Sequence, residues 1–249
     1  MKLNTGKLAI PAEVPHIWRQ RLLDAVGKNL DTGCATIING RAGTGKTILA
    51  TDFVRCYDRA IAWYKVDATD AKLTVFIEYL IATVERERCG FGVKTLSHIQ
   101  DTMSESHISK LVEAFVYDLE KEAKPLILAL DDLHLIYDAD WLSPFFYRLL
   151  SLLPTEVHLL ILGRGLPPAP LWRLRSKQRL LVINEPMLAF TEAEAVELFS
   201  VYGLSGKQAR QAMEHTGGRA ADLHAIAMRE GRPYKSEGNF IRGLNLSPN

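Results

Sequence analysis

The eight residues GRAGTGKT, Gly40 to Thr47, restrict the fold of this chain more than any other stretch. They match the spacing G-x-x-x-x-G-K-[S/T], and the apolar run ATIIN (35–39) leads directly into them. The pattern works only where a strand enters a tight glycine turn and leaves it as a helix. Glycines let successive backbone N–H groups curl round phosphate oxygens, and the helix N-terminus adds a positive dipole. Gly40, Arg41, Ala42, Gly43, Thr44, Gly45, Lys46, Thr47 and Ile48 are therefore the candidate phosphate-binding residues of a nucleotide site. Lys46 is expected to reach the β and γ phosphates, and the Thr47 hydroxyl to join a Mg²⁺ shell. The competing reading is a glycine turn before an ordinary helix, which the strand in front of the motif disfavours.

The rest of the chain agrees with such a sheet. Short apolar runs recur at 35–39, 60–66 (AIAWYKV), 126–130 (LILAL), 158–163 (HLLILG) and 180–184 (LLVIN). None alternates apolar with polar, so they read as parallel strands buried on both faces. Helical spacing separates them. The clearest stripe is Ile108, Leu111, Val112, Phe115, Val116 and Leu119, and further helices are expected after Lys46, over about 73–86 and over about 141–153. Strands alternating with helices predict a doubly wound α/β domain over 1–187. Beyond it the pattern is helical only. TEAE (191–194) and SGKQ (205–208) fit the capping box, and a third helix is expected after Gly217-Gly218. A three-helix lid over 188–231 and a polar, frayed tail over 232–249 complete the expected organisation.

Two strand ends carry the remaining chemistry. LILAL stops on Asp131 and Asp132, and adjacent carboxylates at the end of an apolar run are costly unless something offsets them. A phosphate-binding loop needs a carboxylate on a neighbouring strand tip to hold Mg²⁺, and Asp131 stands there. LLILGRG places Arg164 at another tip. Spacing alone leaves it open whether Arg164 meets a γ-phosphate or pairs with Asp131 or Asp132.

Taken in order, RQRLL (19–23), GRAGTGKT, WYKVDATD (63–70), LDDLHLI (130–136), GRGLPP (163–168), PLWRLRSKQRLLVI (170–183), LAFTEAEAVELF (188–199) and HTGG (215–218) resemble the ATPase module of MalT-like, LuxR-type transcription regulators. These belong to the STAND class of signal-transducing P-loop ATPases, related to the AAA+ fold, and the resemblance covers about residues 7–225. It implies a P-loop NTPase with a five-stranded, mostly parallel sheet and a helical lid. It also implies ATP or ADP with Mg²⁺ as ligands and slow hydrolysis. Asp132 would then orient the attacking water, Arg164 would sense the γ-phosphate, and Arg19 or Arg21 would line the base and phosphate side. Self-association or a protein partner is implied in the ATP state. Departures from the family pattern fall at Arg41, Thr44 and Ile48 in the loop. In the lid, Arg219 and Ala220 replace a Trp-Pro pair. The family's winged-helix-like, helical-repeat and helix-turn-helix domains are not expected within these residues. The chain is thus expected to be the ATPase piece of a longer regulator or a free-standing relative.

Charge narrows the alternatives. Thirty Lys and Arg against 29 Asp and Glu give a net charge of +1, which supplies no basic track for a nucleic-acid motor and no attraction to acidic membranes. A small-molecule kinase, the other turnover enzyme considered, would need an acceptor site and an arginine-bearing mobile lid, and no such loop stands out. A nucleotide-binding scaffold without hydrolysis is the third alternative. Three cysteines without C-x-x-C spacing, and no signal or spanning segment, point to a reducing cytoplasm. Trp63 and Tyr64 are expected in the core, His134 as an interior or capping histidine, and WRLRSKQR (172–179) as a solvated helix face.

Overall fold

The computed structural model describes residues 3–12, 16–57, 59–99, 104–122, 124–165 and 179–232. The chain forms two compact units, Met1–Ala189 and Phe190–Asn249. The first is built on five strands: β1 (Ala35–Asn39), β2 (Ala60–Lys65), β3 (Leu126–Asp131), β4 (Val157–Gly163) and β5 (Leu180–Ile183). Their order across the sheet is β2-β3-β4-β1-β5, and every pairing is parallel. The expectation of parallel strands buried on both faces is met in the middle of the sheet, where β3 and β4 are buried at every position and β1 at all but its last. The edge strands β2 and β5 are only partly buried.

Both faces are covered because both are apolar. On one side lie α1 (Gln20–Thr32) and α2 (Lys46–Cys56). There Leu22, Val26, Leu49 and Phe53 share a core with Ile38, Trp63, Ile127 and Leu160. On the other side lie α3 (Leu73–Glu85), the short α4 (Val93–Leu96), α5 (Glu105–Glu120) and α6 (Leu142–Leu152). Phe76, Phe115 and Phe145 pack there with Tyr64, Leu128 and Leu159. Trp63 and Tyr64, adjacent on β2, thus enter opposite cores, as strand geometry dictates. Each such buried side chain contributes roughly 1.5–3 kcal/mol, so the sheet is held rigidly from both sides.

Strand order decides where chemistry gathers. In an open parallel sheet the ligand site lies beyond the carboxyl ends of the strands. The loop following β1 is flanked there by the tip of β4, carrying Arg164, and by the exit of β5. That exit leads into the one-turn helix α7 (Glu185–Leu188). The tip of β3, with Asp131, stands one strand further out.

The second unit holds α8 (Glu192–Val201), α9 (Gly206–Thr216) and α10 (Ala220–Glu230). Both expected capping boxes form: Thr191 with Glu194, and Ser205 with Gln208. Leu198, Phe199, Ala209, Ala212, Leu223 and Ala227 are buried within it. No described helix is long and apolar enough to cross a membrane. Residues 166–168 of GRGLPP, residues 172–178 of the basic run and the tail from 233 lie outside the described residues.

Candidate functional site

The glycine loop adopts the conformation its sequence requires. Gly43 and Gly45 take φ of 78° and 81°, left-handed values that a side chain would resist. Gly45 then serves as N-cap of α2, so Lys46 opens the helix. Gly40 has no room for a side chain, since a Cβ there would come 2.9 Å from Thr44 Oγ1 and 3.1 Å from Leu188 Cδ1. Arg41, Ala42 and Gly43 are exposed, Thr44 is buried, and Ile48 is half-buried on the first turn of α2. Lys46 Nζ donates to the carbonyls of Gly40 (2.7 Å) and Arg41 (2.9 Å), folded back over the loop. Burial and then the Arg164 charge hold its pKa below the usual lysine value, against the pull of Asp132, Asp131 and Glu185.

Asp131 lies behind the loop. Its Oδ2 accepts from the Thr47 hydroxyl at 3.5 Å, while Oδ1 is buried without a hydrogen-bond partner among the described residues. Burial, reinforced by the neighbouring Asp132 charge, pushes the Asp131 carboxyl up to about 6. An orphaned, buried carboxylate oxygen next to a threonine hydroxyl at a helix start fits a divalent cation, which would supply the missing partner and the missing charge. Among the described residues no group of three or more His, Cys, Asp or Glu side chains is placed to hold a metal. A cation at Asp131 and Thr47 would therefore complete its shell with water or phosphate oxygens, the usual habit of Mg²⁺.

Asp132 has φ of 59°, the one non-glycine residue with positive φ among those described. Such a conformation costs on the order of 1 kcal/mol and collects at functional sites. Asp tolerates it better than most residues because its short side chain bonds locally. The kink ends β3 and starts a 3₁₀ turn over Leu133–Ile136. His134, half-buried on that turn, brings Nδ1 to 3.8 Å from Asp132 Oδ1. Burial lowers its pKa, and Arg164 and Lys46 add to the lowering. The histidine expected as an interior or capping residue is half-buried and lies beside Asp132.

Arg164 is exposed and makes no ion pair with Asp131 or Asp132. Its charge acts instead on Lys46 and His134. The β4 exit is pinned to the loop strand by Asn39, whose Oδ1 accepts from Gly165 N at 2.8 Å. Arg19 and Arg21 part company. Arg19 is buried, donating to the carbonyls of Gly45 (2.6 Å) and Leu188 (3.0 Å), with Thr44 O at 3.4 Å. Arg21 is exposed and donates to the carbonyls of Met187 and Ala189, both at 2.7 Å. Sequence reasoning did not single out Glu185. It accepts from the Arg41 backbone N–H (2.8 Å) and from Arg41 Nε (2.6 Å), and those bonds lower its pKa. No motif marks it, because its partner lies 144 residues away.

Comparison with known proteins agrees with this architecture. Residues 18–162 match the family model described as AAA ATPase domain. Among curated relatives, the HTH-type transcriptional regulator MalT of Serratia proteamaculans is 28% identical over 256 residues, covering 98% of this chain and 27% of the relative. The MalT of Yersinia enterocolitica is 29% identical over 257 residues, covering 98% of this chain and 28% of its own length. This chain thus spans about a quarter of the curated relatives it matches. Among solved structures, the Aeropyrum pernix Orc1 protein in complex with DNA superposes with a TM-score of 0.50 at 16% identity, over 88% of this chain and 60% of that one. That likeness shows the fold.

Proposed function

The chain belongs to the AAA ATPase domain family, and from that premise we propose that it is the nucleotide-switch module of a MalT-like regulator. It binds ATP or ADP through Gly40 to Ile48 and hydrolyses ATP slowly to ADP and phosphate. The observation that carries the reading is the buried Asp131 carboxylate behind a glycine cradle, with Oδ2 accepting from the Thr47 hydroxyl and Oδ1 without a partner among the described residues. A cation arriving with the phosphates would supply the partner and the charge that this carboxylate lacks.

The residues divide the work. Lys46 exchanges its two carbonyl partners for phosphate oxygens, a gain because the new acceptors are charged. Asp131 and Thr47 hold Mg²⁺, whose charge offsets that of the phosphates. Asp132, turned out of β3 by its left-handed backbone, accepts a hydrogen bond from the water that attacks the γ phosphorus, with His134 beside it. Arg164, held next to the loop through Asn39 and Gly165, contacts the γ-phosphate and stabilises charge developing on it. The nucleotide state is in turn passed to the second unit and to self-association or a protein partner.

The test is direct. Protein purified without added nucleotide is denatured and the supernatant chromatographed; ADP or ATP in near-stoichiometric amount is expected. A chain that carries neither, and binds neither at millimolar concentration with Mg²⁺, would sink the proposal.

A further inference from the structure

A phosphate cradle works only if its peptide groups point the right way, and this loop is rich in glycine, which gives it freedom to point them elsewhere. Two side chains outside the motif grip it from either end. At the far end the buried Arg19 guanidinium reaches Gly45 O at 2.6 Å and lies 3.4 Å from Thr44 O. In a trans peptide the C=O and the following N–H point in opposite directions. Carbonyls drawn toward Arg19 therefore turn the N–H groups of Gly45 and Lys46 away from it, into the hollow of the turn.

At the near end Glu185 takes the Arg41 N–H at 2.8 Å. The carbonyl of that same peptide belongs to Gly40, and it faces the other way, onto Lys46 Nζ at 2.7 Å. One carboxylate thus sets the peptide that parks the lysine. Both grips end on α7: Glu185 is its first residue, and Arg19 Nη1 also donates to Leu188 O at 3.0 Å. The helix is itself capped by Asn184, whose Oδ1 accepts from Met187 N.

We infer that Arg19 and Glu185 are positioning residues of the phosphate loop, orienting its peptide planes from the fixed base of α7. The inference rests on the nucleotide-binding reading above and assigns that site two residues outside its motif. A planar guanidinium fork is needed at position 19, because it bonds carbonyls on the loop and on α7 at once. A lysine ammonium supplies the charge without the fork. At position 185 an acceptor oxygen is needed, and glutamine retains one.

The test compares Arg19→Lys, Glu185→Gln and Glu185→Ala with the parent chain by two measurements. The first is amide hydrogen exchange of residues 40–47 in nucleotide-free protein. The second is the Kd for ADP with Mg²⁺ by calorimetry. In Arg19→Lys and Glu185→Ala the loop amides are expected to exchange about tenfold faster, while β3 and β4 keep their protection. ADP affinity falls about tenfold in both, the loss of one charge-assisted hydrogen bond. Glu185→Gln restores most of both readouts. Unchanged loop exchange in Arg19→Lys would overturn the inference, as would a Glu185→Gln variant as impaired as Glu185→Ala. So would variants that lose thermal stability while their ADP affinity stays at the parent value. A parent chain that fails to bind ADP would sink the nucleotide reading, and the exchange measurement would still decide whether the two side chains order the loop.

Discussion

Replacing Asp131 by asparagine should make the empty protein more stable while removing the cation response proposed for it. Burial, and then the charge of Asp132, raise the Asp131 carboxyl from 3.8 to about 6 in the folded chain. The folded pKa lies above the unfolded one, so the charged form is penalised by folding. The penalty is fully present above pH 6 and absent below 3.8. A gap of about two units at 1.36 kcal/mol each amounts to about 3 kcal/mol at pH 7.5. Asparagine keeps the shape without the charge, but its amide must also find partners, so a net gain of about 1–3 kcal/mol is expected. The assay is urea unfolding followed by tryptophan fluorescence, in protein stripped of nucleotide and metal. Mg²⁺ with ATP should then stabilise the parent chain by mass action and leave Asp131→Asn almost unmoved. A variant no more stable than its parent when stripped, or one that still responds fully to Mg²⁺, would refute the view of Asp131 as a buried anion kept for a cation.

Three further outcomes follow from the same physics. Lys46→Ala is expected to weaken ATP and ADP binding about ten- to a hundredfold by calorimetry, whereas Asp132→Asn keeps binding and lowers the steady-state hydrolysis rate about a hundredfold or more. An Asp132→Asn variant that turns over at the parent rate would remove the water-orienting role. His158, buried on β4 with Nε2 2.9 Å from Thr36 Oγ1, is pushed down to about 4 by burial and then by Arg59. Its folded pKa lies below the unfolded 6.5, so stability is lost as pH falls from 6.5 toward 4. That amounts to about 2 kcal/mol by pH 5, and urea titrations of the parent and His158→Gln should show the variant's profile flatter over this range. Thr191→Ala removes the side-chain cap of α8 and should destabilise the second unit by about 1 kcal/mol, read by amide exchange of residues 192–201.

How far the sequence reached depends on the range of the interactions involved. The strands were legible because burial on both faces leaves an unbroken apolar run, and β3 and β4 are buried at every position. The two capping boxes were legible because donor and acceptor lie three residues apart. The helix α1 went unremarked. Its short stripe of Leu22, Leu23, Val26 and Leu30 sits in a polar sequence and is recognised only once it covers a sheet face. The site divides in the same way. Lys46 and Thr47 were marked by the spacing of the glycine motif, and Asp131 and Arg164 because each stands at the end of an apolar run. The pair Arg19 and Arg21 was left unresolved, and only the fold buries Arg19 under the loop while leaving Arg21 exposed on α1, donating to the carbonyls of Met187 and Ala189.

By itself, then, the sequence determined that a strand runs into a glycine turn that opens a helix and that two carboxylates end another strand. Those are consequences of local spacing and of how apolar runs partition from water. Tertiary structure alone decided that β1 lies between β4 and β5, which brings Glu185 to a loop 144 residues away and Arg164 to its other flank. It also decided that Asp131 keeps one oxygen buried and partnerless. The reason is physical: such contacts are set by strand order, and many strand orders are compatible with the same apolar runs.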